Sequence, residues 1–286
     1  MSPSGMPSVD LLGEQIASIL ADPATTHGLA RTLRAATKEI ELHRYHHASR
    51  RAWPNGRIDD KPAKVQIGGG AHRIDGFFNI DLVPPADLLW DIREGVPLQD
   101  DSTDEIFSEH FLEHIDYPRS AKHYVREAHR VLVTGGRIIT GVPDAAFALS
   151  QYPGPMDATD EVIQRWYAKR DCLGDINTRL DLVNLVFRDQ DDDPTYTPHL
   201  WAYDHEKLVQ LFNEAGFTTV EPWTFDPTMA NPKRRWGSVY VVATKYPSSS
   251  PRVRDAPSLA APDSRASTHT TAPRTRPATL PREPPA

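Results

Sequence analysis

Apolar positions fall into two regimes along the chain, divided near residue 60. In the first, Leu11, Leu12, Ile16, Ile19 and Leu20 recur at helical spacing. They predict a helix over residues 9–20, with Ser8 as its cap and Asp22-Pro23 as its stop. A longer helix is expected over 26–51, where Leu29, Leu33, Ile40 and Leu42 form a broken stripe that ends at Trp53-Pro54-Asn55-Gly56. From Lys64 onward short apolar runs alternate with helical stretches. Strands are expected at 65–67, 77–82, 88–91, 105–108 and 137–142, with a helix over 117–131 before the last of them. An irregular, mostly helical stretch follows over 145–198. A helix at 204–215, stopped by Gly216, leads to two late strands at 218–222 and 238–244. Strands alternating with helices imply a largely parallel sheet covered on both faces, and the late pair suits an antiparallel hairpin at its edge.

Composition changes this picture at one end. The last 40 residues hold nine prolines and six arginines against three acids, and none of the chain's Phe, Trp or Tyr. Such a segment buries too little apolar surface to offset its ordering entropy, so 247–286 is expected to be a disordered tail. The 286-residue chain has a net charge of −7, so the part before the tail is distinctly acidic. Sequence-independent nucleic-acid binding runs on basic surface and is disfavoured. A single cysteine, Cys172, rules out an intrachain disulfide framework and a cysteine zinc cluster. No apolar run is long enough to span a bilayer, and no secretory signal is visible at the start. A cytoplasmic protein with no membrane partner is expected.

Ligands of open parallel sheets sit beyond the carboxyl ends of the strands. Four such ends carry distinctive residues here. Gly68-Gly69-Gly70 permits close backbone approach to a ligand, although a tight turn explains it equally well. Asp81 ends the second strand, where an acid accepts from ribose hydroxyls. It stands only 11 residues beyond Gly70. That is too few for the helix that holds a pyrophosphate in a dinucleotide site, which argues for a nucleoside ligand without a diphosphate. Asp91 and Ile92 follow the third strand, where an acid could accept from an adenine amino group and an aliphatic side chain could pack on the base. The run Ser108-Glu109-His110-Phe111-Leu112-Glu113-His114 leaves the fourth.

These pieces resemble the class I S-adenosylmethionine-dependent methyltransferases, and more narrowly the type 11 branch of small-molecule enzymes with a shortened first helix. The matching stretches are Ile67 to Gly70, Gly76 to Leu82, Trp90 to Arg93, Ser102 to Ile106, Ser108 to His114, Glu127 to Leu132 with Gly135-Gly136, and Val142-Pro143-Asp144. The likeness is strong over about 80 residues and extends weakly to about Thr244. It implies an α/β fold: a Rossmann-like methyltransferase sheet, mostly parallel with an antiparallel C-terminal hairpin, with an N-terminal helical cap (1–60) and a disordered tail (247–286). The methyltransferase domain would span 61–246, with 145–198 as a helical insert or lid. The resemblance also implies S-adenosyl-L-methionine as cofactor. Gly68 and Gly70 would flank its methionine part, with Gly69 between them in a place commonly held by Cys or another small residue. Asp81 would bind the ribose, Leu82, Asp91 and Ile92 would frame the adenine, and Ser108 and Glu109 would lie beneath the sulfonium.

A methyl acceptor hydroxyl needs a general base. His110 and His114 share a helical face if helical, Asp144 follows the fifth strand, and His199 should return to the same sheet edge. These four are the catalytic candidates, although a polar helix start and a helix cap account for His110, His114 and Asp144 as readily. A triple-histidine metal site and a metal on the His43–His47 run are both set aside, so no metal is expected. The aromatics Tyr152, Trp166, Tyr167 and Phe187 of the insert, and the acidic run at 189–193, are read as core and solvated loop before substrate contacts. The expected reaction is methyl transfer to O or N of a small molecule, a secondary metabolite or sugar. A homodimer built through the N-terminal helices stays open. A silent methyltransferase-like binding partner is the main alternative. A nucleotide-dependent oxidoreductase or epimerase would want a longer glycine-to-acid spacing than the one from Gly70 to Asp81. A protein or nucleic-acid acceptor is disfavoured because no Asn-Pro-Pro-aromatic motif is present.

Overall fold

The computed structural model describes residues 9–53, 55–153, 178–188 and 197–247. Two helices open it, α1 (Val9–Ala21) and α2 (His27–Ala52). Of the apolar stripe on α1 only Ile16 is buried, while Leu11, Leu12 and Ile19 remain exposed. On α2 the buried pair is Leu42 and His46. These helices are therefore held by a few contacts and not by a continuous apolar face.

The sheet starts with β1 (Lys64–Ile67), β2 (Phe78–Asp81) and a two-residue β3 (Leu88–Leu89). β4 (Thr103–Glu109), α3 (Arg119–Val131) and β5 (Leu132–Pro143) follow, then the short α4 (Ala145–Ser150). Beyond it come α5 (Arg179–Arg188), α6 (His205–Glu214), β6 (Thr219–Pro222) and β7 (Ser238–Thr244). The strands lie in the order β3-β2-β1-β4-β5-β7-β6. The first five are parallel, and β7 runs antiparallel between β5 and β6. The antiparallel pair expected at the sheet edge is therefore present, with its last strand in sequence inserted next to β5.

Alternation along the strands divides the core. Ile106 and Ile138 face the large cluster under α3 and α6, with Tyr124, Val125, Ala128, Leu208 and Phe212. Phe107 and Ile139 face a smaller aromatic cluster with Phe77 and Tyr240, against which Trp223 and Phe225 pack. Asp204 caps α6 by accepting from the Lys207 amide at 2.7 Å. Gly216, with φ of 106°, ends it in the left-handed region as its position suggested.

Several boundaries differ from the sequence reading by one or more residues, and three of the differences have a visible cause. The third strand shortens because Asp91 accepts from the Arg93 amide at 3.0 Å and starts a 3-10 turn. α3 begins two residues late, after Pro118. β5 runs through Thr134-Gly135-Gly136, which the pattern placed before the strand. The Gly135 amide donates to Lys245 at 2.7 Å and Gly136 accepts from the Lys245 amide at 2.9 Å, so the ladder to the last strand continues there. The proline-rich tail from Ser248 on lies outside the described residues, as do Ser8, Trp166, Tyr167, Cys172 and the acidic run at 189–193. Among the described residues no helix is long and apolar enough to cross a membrane.

No helix joins β1 to β2. The Gln66 side chain spans the turn instead, donating to the His72 carbonyl at 2.6 Å and accepting from the Ile74 amide at 3.0 Å. On the other side of β3, Arg130 clamps the incoming loop to α3. It donates to the carbonyls of Val96 and Leu98 and to Glu127, whose carboxylate also accepts from the Val96 amide. Burial pushes the Glu127 carboxyl up, but the Arg130 guanidinium more than offsets this and leaves it below the usual range. A lowered folded-state value stabilises the fold above the unfolded value, roughly pH 4.3, and that contribution fades as pH falls through the folded value. Glu127→Gln should therefore cost about 1.5–3 kcal/mol at pH 7, the range for a hydrogen bond to a charged group. In urea melts the gap between variant and parent should close below about pH 4.

Candidate functional site

The carboxyl ends of β1, β2 and β3 meet at a cavity of about 210 Å³. Its floor is the glycine turn, where Gly68 and Gly70 have φ of 66° and 52°. A side chain at Gly68 would begin 2.5–2.9 Å from the Phe111 ring, so the backbone there lies directly beneath that ring. Asp81 holds the turn in place. One carboxylate oxygen accepts from the Gly70 amide at 2.8 Å, and the other from the amides of Leu82 and Val83 at 2.6 and 3.2 Å. A carboxylate has roughly four lone-pair positions, so capacity remains for ribose hydroxyls.

The β3 side is built around Asp91 and Ile92. Arg93 forks onto the Asp91 carboxylate at 2.7–3.0 Å and reaches Glu39 of α2 at 3.0 Å. These bonds to Asp91 raise the Arg93 guanidinium further above its ordinary value. The Asp91 amide donates to Nδ1 of His46 at 3.1 Å, and the His46 ring meets Trp90 edge-on at 4.5 Å. Lys38, Glu39 and Leu42 thereby join the cavity wall from α2.

Opposite, the chain leaves β4 through His110, whose φ of 52° is unusual for a residue with a side chain. Its amide donates to the Gly141 carbonyl at 2.8 Å. The turn presents Phe111, His110 and His114 to the cavity and buries Glu113, which is 2% exposed. The Glu113 carbonyl accepts from the amides of Leu200 and Trp201 at 2.7 and 3.3 Å, which brings His199 beside it. Nδ1 of His110, Nε2 of His114 and Nε2 of His199 lie 3.8, 3.9 and 3.9 Å from one Glu113 oxygen. Burial, and then the nearby Arg234 guanidinium, drive the His110 imidazole well below its usual value.

Gly68, Gly70, Asp81, Leu82, Asp91, Ile92, His110 and His114 thus meet at one cavity, and His199 joins them through Glu113. Four other candidates are placed elsewhere. Gly69 faces Gln66 and Asn79. Ser108 is buried against Thr140 at 3.1 Å. Glu109 points to the aromatic side of the sheet, where it accepts from the Tyr240 hydroxyl at 2.7 Å and the Asn231 amide at 3.1 Å. The alternation of β4 sends these last two to opposite faces of the sheet, and neither lines the cavity. Asp144 caps α4, accepting from the Ala146 amide at 3.0 Å. Sequence reasoning gave no role to Glu113, Arg93, Phe111 or the α2 residues. Glu113 had a signal in its place between two histidines; the α2 residues had none.

Residues 84–140 match the family model described as a methyltransferase domain, about a fifth of the chain, running from ahead of β3 into β5. No curated protein is similar to the chain. Among solved structures, the chain is similar to a Thermotoga maritima methyltransferase described as a possible histamine N-methyltransferase. The identity is 16% over 71% of this chain and 91% of that one, with a TM-score of 0.37. It is also similar to a Methanosarcina mazei S-adenosylmethionine-dependent methyltransferase, at 13% identity over 68% and 96%, with a TM-score of 0.40. Likenesses at these scores carry no argument of their own. The family match over this segment, the seven-stranded order and the cavity at the carboxyl ends of β1–β3 agree with the methyltransferase resemblance read from the sequence.

Proposed function

We propose that the protein transfers the methyl group of S-adenosylmethionine to an oxygen or nitrogen of a small molecule, of the secondary-metabolite or sugar kind. The observation that carries this reading is the single cavity that joins the Gly68–Gly70 turn and Asp81 to His110 and His114. The residues present suit the cofactor. Asp81 has acceptor capacity for the ribose hydroxyls, Leu82 and Ile92 supply apolar contact for the base, and Asp91 lies at its polar edge. At about 210 Å³ the cavity is smaller than the roughly 300–1,000 Å³ of most ligand sites. Phe111 forms the wall whose rotation would admit the methionine part. The bound cofactor supplies the electrophilic methyl group. The chain's own work is to hold the acceptor in line, exclude water and receive a proton. His110, His114 and His199 would be the groups to receive it. Asp144, already engaged as a helix cap, is the weaker candidate.

The test is incubation of the protein with S-adenosylmethionine labelled in its methyl group and a metabolite extract, beside total protein and total RNA. Label should appear in low-mass products. Label only in the protein or RNA fraction would remove the small-molecule acceptor while leaving the donor in place.

A further inference from the structure

We infer that Ser238, Tyr240 and Glu109 are positioning residues, joined in a directed chain of hydrogen bonds that fixes His110 as its Nε2–H tautomer and leaves Nδ1 as the atom that takes the acceptor's proton. The base role of His110 rests on the proposed methyl transfer; its tautomer does not. The chain starts at Glu109, which is 4% exposed. Its carboxylate accepts from the Tyr240 hydroxyl at 2.7 Å, the Asn231 amide at 3.1 Å and the Arg234 guanidinium at 3.3 Å. Arg234 also donates to the Glu109 carbonyl at 3.0 Å. An ionised carboxylate only accepts, so the one hydrogen of the Tyr240 hydroxyl is spent here. Tyr240 and Ser238 are two apart on β7 and share a face. The Ser238 hydroxyl acts there as a donor to the Tyr240 phenol. Its single hydrogen is then spent as well, and its oxygen is left to accept. The atom in reach is Nε2 of His110, at 2.8 Å. Nε2 therefore carries the hydrogen, and in a neutral ring Nδ1 presents the lone pair.

Two observations tie this chain to the site. His110 lines the cofactor cavity, while its three partners lie outside that lining. Its left-handed backbone, with φ of 52°, breaks the alternation of β4 and lets the ring reach Ser238 on the side where Glu109 lies. The ring is also kept neutral. Burial, and then Arg234, His199 and His114, disfavour its charged form, and the acid that faces it is Glu113, with an oxygen 3.8 Å from Nδ1. A neutral ring with one nitrogen engaged is a base with a defined direction. As the methyl carbon bonds to the acceptor atom, the proton of the acceptor's O–H or N–H passes to Nδ1. The carbon–sulfur electron pair stays on sulfur, which ends neutral. The imidazolium then loses its proton to water as product leaves. The chain moves no proton of its own in this step; it holds the ring.

The experiment uses the full chain with isotope-labelled histidine. Long-range proton–nitrogen correlation spectra distinguish Nε2–H, Nδ1–H and imidazolium rings, and the pattern lost in His110→Gln assigns His110. At pH 7 the parent should show a neutral Nε2–H ring. Tyr240→Phe keeps the aromatic ring but frees the Ser238 hydrogen to turn to Nε2, so the ratio of Nδ1–H to Nε2–H should rise at least tenfold. Ser238→Ala should abolish the preference, and Ser238→Thr, which retains the hydroxyl, should restore it. S-adenosylhomocysteine binding and a cooperative melt report on the donor site and the fold, and both should persist in Ser238→Ala. An Nδ1–H or charged His110 in the parent overturns the inference before any variant is made. So does a tautomer ratio that stays the same in Tyr240→Phe and Ser238→Ala. Transfer of labelled methyl to low-mass products is read separately. Ser238→Ala should slow it at least tenfold at saturating donor, and Ser238→Thr should recover it; an unaltered rate in Ser238→Ala overturns the base role. The expected tautomer in a protein that methylates nothing of low mass upholds the chain and tells against the methyl-transfer reading.

Discussion

Replacing Asp81 by alanine is expected to weaken binding of S-adenosylmethionine and S-adenosylhomocysteine at least tenfold, about 1.4 kcal/mol. Two losses act together. The proposed ribose acceptor disappears, and so does the bond that ties the Gly70 amide to the end of β2. The glycine turn then loses its only side-chain tie across to the second strand among the described residues, and ordering it becomes part of the binding cost. Isothermal titration beside the parent protein measures the effect. Asp81→Asn separates the two contributions, because its amide oxygen can still accept from Gly70 while the charge is gone. An Asp81→Ala variant that binds the donor as tightly as the parent would remove Asp81 from the cofactor site.

The second large effect is expected at Gly141→Ala. A methyl group there would start 2.2–3.0 Å from the Tyr240 ring, inside the strand and fully enclosed. Overpacking of this kind costs about 1–3 kcal/mol and sometimes more. The upper end is expected, because Tyr240 is not free to yield. Its hydroxyl donates to Glu109 at 2.7 Å, and its ring packs on Trp223 and Phe225 at 5.6 Å. Burial, and then the Glu109 carboxylate as acceptor, hold the phenol protonated far above its ordinary value. Urea unfolding should therefore give a loss of about 3 kcal/mol, and adding Tyr240→Leu should recover part of it in a double-mutant cycle. Simple additivity of the two changes would mean that the ring is not what the methyl group meets.

Periodicity made most of the sheet legible. Residues 238–244, a run rich in β-branched and aromatic side chains, were read to their true ends, and Gly216 marked the end of α6. The short spacing from Gly70 to Asp81 correctly excluded a helix between the first two strands. What replaced that helix was not legible, since Gln66 looks like any polar residue in a strand. Ser108 and Glu109 show a different limit. Adjacent strand residues point to opposite faces, so a motif that names both can bring only one to a given side, and here neither lines the cavity. The contribution of α2 was invisible because Lys38, Glu39 and Leu42 reach the cavity through tertiary docking, by way of His46 and Arg93. Glu113 was hidden for a related reason. Its partners His110 and His114 are local, but His199 lies 86 positions away and is brought in by tertiary contacts, among them the main-chain bonds of its neighbours Leu200 and Trp201 to Glu113.

The docking of α2 bears on the speed of cofactor exchange. One wall of the cavity is a helix that belongs to no strand crossover and presents few buried side chains, fastened near the cavity by one imidazole at Asp91 and one guanidinium shared with Glu39. The first is a hydrogen bond to a buried, neutral ring, but the second is an ion pair whose Glu39 end is largely exposed to solvent. Ionic strength should then act on the rate at which spent cofactor departs and fresh cofactor enters, while the sheet beneath keeps its shape. Turnover in such an enzyme would be paced by a helix at the rim and would respond to salt long before the fold does.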